Sequence, residues 1–493
     1  MTGGPVVDTA HGRLRGSRRD GVDVYLGVPY AARPVGPRRF RPPEPPSARR
    51  RERDATTPGP VCPQPQPAPA RGAVQDEDCL HVNVWTPGVA GTHPVLVYLP
   101  GGGFVAGDAS SRVTDGARLA ARGVVVVAVS YRLHAFGFLD LGGAHDPNVG
   151  ILDQVAALRW VRDNIDAFGG DPGNVTVAGY SAGGNSVATL LAVPEARGLF
   201  RRAVVQDGSA VLSLSRSTTG AVACEVLAVL GIDDPSDRAA LERVPAADIV
   251  TVAAEVGTRY AGVLPGSLPV SPETDRRKGL TWTPALGKSL PQRPLDAVGA
   301  GAAAGIDLLV GTNRDSMTMI SDRVPDVDRA LLAAHLSDHL GDHRTVEDVI
   351  GVYAEDLGTA SPRDVLGALL TDLLLAVPTV QLAEGQLQHH PGVWLYEYAE
   401  PGPTGRAGHS LDTGLWFDNV ARSGGERMRR LAARMADALV AFVSTGDPSG
   451  AGLPAWTPYS SEDRATMVLA GDSEIVNDPH PGRRRLWAAA SLP

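Results

Sequence analysis

The stretch Val175-Thr176-Val177-Ala178-Gly179-Tyr180-Ser181-Ala182-Gly183-Gly184 limits what this chain can become more than any other. Its β-branched start, Val175 to Ala178, reads as a buried strand, and a small-residue helical pattern begins after Ser181. A strand can pass into a helix this abruptly only if side chains are missing where the two backbones meet, and Gly179 and Gly183 meet that demand. Ser181 is then held in a strained conformation at the helix N-terminus. Free N–H groups there favour a developing negative charge. A serine alone is a poor nucleophile, so a base, an acid and an oxyanion site are expected elsewhere.

Along the rest of the chain, strands and helices alternate. Val6 to Val28 reads as short strands broken at Gly12 and Gly21, and residues 33 to 70 are Pro- and Arg-rich irregular chain. Further strands are expected at Val82 to Trp85, Val95 to Leu99, Val124 to Val129, Arg202 to Gln206, Ile306 to Val310 and Val393 to Tyr398. Helical spacing links Ile151, Val155, Leu158, Val161 and Ile165, and again Leu431, Met435, Leu439 and Phe442. This alternation predicts an α/β fold with a mostly parallel central sheet flanked by helices and ligands at the carboxyl ends of its strands. The 493 residues are expected to form a single unit. Residues 1–319 would be the sheet core, 320–390 a helical cap or side layer, and 391–493 the last strand, a histidine loop and a C-terminal helix.

A net charge of -9 argues against nucleic acid as a partner. No apolar run of about 20 residues and no apolar N-terminal leader is visible, so a cytoplasmic protein without a membrane span is expected. Three cysteines, Cys62, Cys79 and Cys224, exclude a thiolate zinc site, and Cys224 reads as a core residue. His335, His339 and His343 form an i, i+4, i+8 row with Asp338 and Asp342; it reads as a polar helix face, and no metal is expected. His389 and His390 read as surface loop residues.

Several blocks in order resemble the type-B carboxylesterase and cholinesterase family, from about residue 6 to residue 488, as a bacterial member of the α/β-hydrolase superfamily. They include Gly27-Val28-Pro29-Tyr30-Ala31, Glu77-Asp78-Cys79-Leu80-His81-Val82-Asn83-Val84, Tyr131-Arg132-Leu133, Asn148-Val149-Gly150, Phe168-Gly169-Gly170-Asp171-Pro172 and Thr445-Gly446-Asp447-Pro448. The resemblance implies hydrolysis of small-molecule carboxylic esters through an acyl-serine, without metal or organic cofactor. It carries the nucleophile to Ser181, the base to His409, and the oxyanion donors to the backbone N–H groups of Gly102, Gly103 and Ala182. It also implies a disulfide between Cys62 and Cys79, against which a reducing cytoplasm weighs.

The acid departs from the family pattern. The usual Glu of Gly-x-Asn-x-x-Glu falls on Ser316 of Gly311-Thr312-Asn313-Arg314-Asp315-Ser316, and a hydroxyl cannot stabilise an imidazolium. Where relatives carry Gln-Ser-Gly after the preceding strand, this chain carries Gln206-Asp207-Gly208. The two roles look exchanged, with Asp207 the acid and Ser316 its supporting hydroxyl; the alternative is that Asp315 turns inward. Asp412, three residues after His409, reads as a supporting acid.

Tyr180 replaces a usual Glu before the nucleophile, Pro100 replaces a His or aromatic residue, and His134 replaces a Gly, placing a titratable ring near the site's edge. Pocket walls are expected from loops around Phe104, Trp282 and Trp416. Two other functions share these residues: an acyltransferase or cyclase that excludes water, and a catalytically dead binding protein.

Overall fold

The computed structural model describes residues 4–65, 74–260, 281–337, 345–420, 425–450 and 452–488. Its framework is an 11-stranded sheet. The strands, in chain order, are β1 (Val6–Thr9), β2 (Gly12–Arg15), β3 (Ser17–Arg19), β4 (Val22–Pro29), β5 (Arg53–Asp54), β6 (His81–Thr86) and β7 (His93–Leu99). They continue with β8 (Val125–Val129), β9 (Gly170–Tyr180), β10 (Arg202–Gln206), β11 (Asp307–Asn313), β12 (Val393–Tyr398), β13 (Ala465–Leu469) and β14 (Glu474–Asn477). The large sheet runs β14-β13-β12-β11-β10-β9-β7-β8-β6-β4-β3, while β1, β2 and β5 form a separate small one. From β13 to β8 every pairing is parallel, and antiparallel strands close both edges.

Strand periodicity explains the two helical layers. Val95, Val97 and Leu99 of β7 and Val125, Val127 and Val129 of β8 join one core, with Ile151, Val155, Leu158 and Val161 of helix α1 (Val149–Asn164). The alternate residues Leu96, Tyr98, Val126 and Ala128 join a second core on the opposite face. There they meet Leu431, Met435, Leu439 and Phe442 of the helix Glu426–Thr445. Successive strand residues point to opposite faces, so a strand buried on both sides must be apolar throughout, as β8 is.

The described residues between 320 and 390 are mainly helical. Met317, Leu332, Tyr353, Leu366 and Leu369 form a third core with Leu486 and Trp487 of the C-terminal helix Pro481–Trp487. Pro362–Leu387 is a continuous helical stretch of 26 residues, long and apolar enough to cross a membrane by composition, yet 72% of its most apolar window is buried inside the molecule.

Cys224 is a correction. It lies on the helix Arg216–Val229, whose buried side carries Thr218, Thr219, Val222, Ala223, Val226 and Leu227, and this leaves Cys224 exposed. His339, His343, Asp338 and Asp342 fall outside the described residues, as does the His335 side chain.

Candidate active site

The register of the sheet brings the site together. Tyr180 of β9, Gln206 of β10 and Gly311 of β11 are level across the three strands. The next residues on the first two, Ser181 and Asp207, therefore leave the sheet side by side. The Ser181 N–H donates to the Gln206 carbonyl at 2.9 Å and the Asp207 N–H to the Gly311 carbonyl at 2.8 Å. Both residues take left-handed backbone angles, φ 54° at Ser181 and 46° at Asp207. Non-glycine residues adopt that region at a cost and usually where the surroundings enforce it. At Ser181 the enforcing contact is plain. A Cβ on Gly179 would lie 2.3 Å from the Gly183 carbonyl oxygen, and one on Gly183 would lie 2.0 Å from that of Leu99. Helix α2 (Ala182–Ala192) follows at once, with every residue buried.

His409, from the loop after β12, completes the cluster. Its Nε2 is 2.9 Å from Ser181 Oγ and its Nδ1 is 2.6 Å from Asp207 Oδ2. Ser316 Oγ donates to the same carboxylate oxygen at 2.7 Å and lies 2.8 Å from His409 Nδ1. The Asn313 N–H donates to Asp207 Oδ1 at 3.1 Å. A fully buried carboxylate is costly unless its oxygens are met by donors, and Asp207, 0% exposed, has three. Asn313 does a second job, donating its side-chain amide to the Gly408 carbonyl at 2.8 Å beside the histidine.

Two positioning residues were missed in the sequence. Asn313 stands inside the quoted Gly311 to Ser316 pattern, which was the available signal. Asn185, four residues after Ser181 on the first turn of α2, accepts from the Ser209 N–H and so ties the turn after Asp207 to the serine's helix.

The electrostatics follow from burial and charge. Burial pulls the His409 imidazole down, but the Asp207 charge and hydrogen bond, with Asp412 adding, outweigh it and leave the pKa above the ordinary value. Asp412 is itself buried, and burial, then the Asp207 charge, push it up to about 6. Its Oδ2 accepts from Trp416 Nε1 at 3.0 Å and from the Tyr396 hydroxyl at 3.3 Å. Burial likewise raises the Tyr180 phenol, whose ring lies 5.4 Å from the His409 ring.

The glycine loop after β7 is shaped for close approach. Gly102 has φ 127° and Gly103 φ 64°. A Cβ on Gly102 would sit 2.1 Å from the Ala106 carbonyl oxygen. That loop's turns use the Gly102 carbonyl, which accepts from the Val105 and Ala106 N–H groups at 3.1 and 3.0 Å. Among the described residues, neither glycine's N–H donates to another backbone group. The Ala182 N–H, in the first turn of α2, has no partner within its helix.

Other expectations are redirected. The Asp315 carboxylate accepts from the Ala407 N–H at 2.8 Å, so it braces the histidine loop and does not turn to the ring. His134 is no titratable edge residue: it is 2% exposed, its Nε2 lies 2.7 Å from the Pro63 carbonyl, and burial pushes it down to about 4. Pro100 gives its carbonyl to the Tyr131 hydroxyl at 2.9 Å. Cys62 and Cys79 are buried neighbours but free thiols. Phe104, Trp282 and Trp416 are buried packing rings, not pocket walls, because each is held by core contacts. His389 and His390 are peripheral, the first near the Gly299 carbonyl at 2.7 Å and the second near Asp307 at 2.8 Å.

Residues 3–486 match the model described as the carboxylesterase family. The chain is 37% identical to the para-nitrobenzyl esterase of Bacillus subtilis (strain 168), over 97% of this chain and 98% of that one. It is 32% identical to the phenmedipham hydrolase of Pseudarthrobacter oxydans, over 96% and 97% of the two chains. Among solved structures, a Geobacillus stearothermophilus carboxylesterase at pH 6.2 superposes with TM-score 0.86 at 36% identity, covering 98% of this chain and 99% of that chain. A PNB esterase superposes with TM-score 0.82, also at 36% identity, over 97% and 99%.

Proposed function

Because the chain belongs to the carboxylesterase family, we propose that it hydrolyses carboxylic esters through an acyl-enzyme on Ser181, with His409 as base and Asp207 as acid. The observation that carries this is the unbroken relay from Ser181 Oγ to His409 Nε2, 2.9 Å, and from His409 Nδ1 to Asp207 Oδ2, 2.6 Å.

His409 Nε2 takes the Ser181 proton as the oxygen attacks the ester carbonyl. The imidazolium is held by Asp207, whose charge is fixed in place by the Asn313 N–H and the Ser316 hydroxyl. The N–H groups of Gly102, Gly103 and Ala182 receive the oxyanion, each worth roughly 2.7–4 kcal/mol in the transition state. His409 then protonates the leaving alcohol and activates water against the acyl-serine. Asp412 raises the ring through its charge, and the Tyr180 ring lies 5.4 Å from it, with its phenol in hydrogen-bonding reach of the Ser181 side chain. The relatives' names make p-nitrobenzyl esters the first substrates to try.

Neither rival reading is favoured. A dead binding protein would be expected to lose the nucleophile–base contact, and the relatives quoted above carry hydrolase names. The test is rapid mixing with a p-nitrophenyl ester: one equivalent of nitrophenol should appear in a burst, and Ser181→Ala should abolish both burst and turnover. Turnover persisting in Ser181→Ala would rule out the covalent route.

A further inference from the structure

Tyr180 stands where the nucleophile, the base loop and the glycine loop meet. It ends β9 directly before Ser181, and its ring lies 5.4 Å from the His409 ring at an interplanar angle of 44°. It also touches the glycine loop: a Cβ on Gly101 would lie 2.6 Å from Tyr180 Cε1 and 2.7 Å from the Tyr180 carbonyl oxygen. Glycine at 101 leaves the room the ring needs, so ring and loop hold one another in place. The phenol reaches two hydroxyls, those of Ser181 and Ser410. Ser410 follows the base directly and keeps a left-handed backbone, φ 69°, which a non-glycine residue holds only where its surroundings enforce it.

Proton counting sets the direction of these bonds. Each hydroxyl has one proton to give and lone pairs with which to accept. Ser181 directs its proton at His409 Nε2, 2.9 Å away, so toward the phenol its oxygen can only accept. Burial raises the phenol, which therefore keeps its proton and is the donor. The phenol oxygen is left to accept from Ser410. The chain runs from Ser410 to Tyr180, Ser181, His409 and Asp207, each link polarising the next.

The bond from phenol to serine changes strength along the reaction. A serine oxygen that carries negative charge is a strong acceptor. The same oxygen in an acyl-serine shares its lone pair with the carbonyl and is a weak one. The phenol bond is therefore weakened in the acyl-enzyme. It is regained after water has added, when the C–O bond to Ser181 breaks and the serine oxygen takes a proton from His409. A group that binds a transition state more strongly than the state before it accelerates that step.

We propose that Tyr180 is a further catalytic residue, which speeds release of the acyl group by donating to the departing Ser181 oxygen. The proposal rests on the acyl-serine route above. Acylation gains little, because the free enzyme and the first transition state both hold the bond. Tyr180 keeps its proton throughout, and His409 moves the one that is transferred.

The test is Tyr180→Phe, which removes only the hydroxyl, assayed with a p-nitrophenyl ester by rapid mixing and at steady state. With so activated an ester deacylation limits turnover, so kcat reads release of the acyl group and kcat/KM reads its arrival. The expected result is a fall of about tenfold in kcat and in KM together, with kcat/KM and the burst rate within about threefold of the parent. Ser410→Ala, which takes away the donor behind the phenol, should lower kcat about two- to threefold in the same pattern. A ring that serves only packing would leave every constant of Tyr180→Phe within about twofold, and a phenol that only orients Ser181 would lower kcat/KM at least as much as kcat. Either result overturns the proposal. A parent without a burst would instead remove the acyl-serine route itself, and this inference with it.

Discussion

His409 and His480 each press a ring nitrogen against a buried carboxylate, at 2.6 Å from Asp207 and 2.7 Å from Glu397. Both rings are raised above the ordinary imidazole pKa in spite of burial. What separates them is the second nitrogen. His480 Nδ1 faces the Asp356 carboxylate at 3.2 Å, so both nitrogens serve as donors and the ring is pinned as a cation, pushed up to about 9. His409 Nε2 faces the Ser181 hydroxyl at 2.9 Å, a group that can give a proton. A carboxylate–imidazole pair therefore sets charge and orientation, and the partner of the other nitrogen decides between a lock and a base. His480 serves the first role, joining the C-terminal helix to β12 and the helix Val346–Leu357.

The sharpest way to break this contrast is to remove each ring. His409→Gln should lower kcat by roughly 10⁴-fold or more, while His480→Gln leaves kcat within about twofold. Ester hydrolysis by the two purified variants decides it. Next in size is Ser316→Ala, which strips one donor from Asp207; kcat should fall about 10- to 100-fold, equivalent to ~1.4–3 kcal/mol. A smaller loss would mean that the Asn313 N–H alone keeps the carboxylate in place.

Stability separates the rings again. His480, up to about 9 when folded against an ordinary 6.5, contributes stability that is full below pH 6.5 and lost as pH rises through about 9. Over that window thermal or urea unfolding should show roughly 2–3 kcal/mol of loss, and His480→Gln should flatten it. The smallest effect belongs to Asp412, raised to about 6 from 3.8. Its contribution is present below pH 3.8 and lost as pH rises through about 6, where its charge begins to favour the His409 cation. Asp412→Asn should change kcat less than about tenfold and move the rising limb of the pH–rate profile to lower pH. A rising limb that does not move would separate Asp412 from the base.

Much of the sheet was readable because its signals are local. Val125 to Val129 is apolar at every position, and Gly179 and Gly183 frame a serine that only a tight turn accommodates. The Asp207–Ser316 juxtaposition was also within reach, since it needs only that β10 and β11 be neighbours. What failed depended on orientation about an element's axis or on long-range packing. Cys224 differs from its buried neighbour Ala223 by one step around a helix, and nothing local says which side is in. His134 was judged by its departure from a family pattern and Trp416 by its place in a loop, yet their surroundings come from distant segments, the Pro63 carbonyl and Tyr396. The lock at His480 joins residues 356, 397 and 480, and no motif announces it.

The central claim is that the acid partner of the catalytic imidazole sits on β10. The most direct measurement is kcat/KM for Asp207→Asn and Asp315→Asn on one activated ester at a pH where the parent's histidine is neutral. The account predicts a loss of roughly 10⁴-fold for Asp207→Asn, by the tautomer argument, and less than about tenfold for Asp315→Asn, which only braces the loop at Ala407. Near-parental rates in Asp207→Asn together with an inactive Asp315→Asn would contradict it.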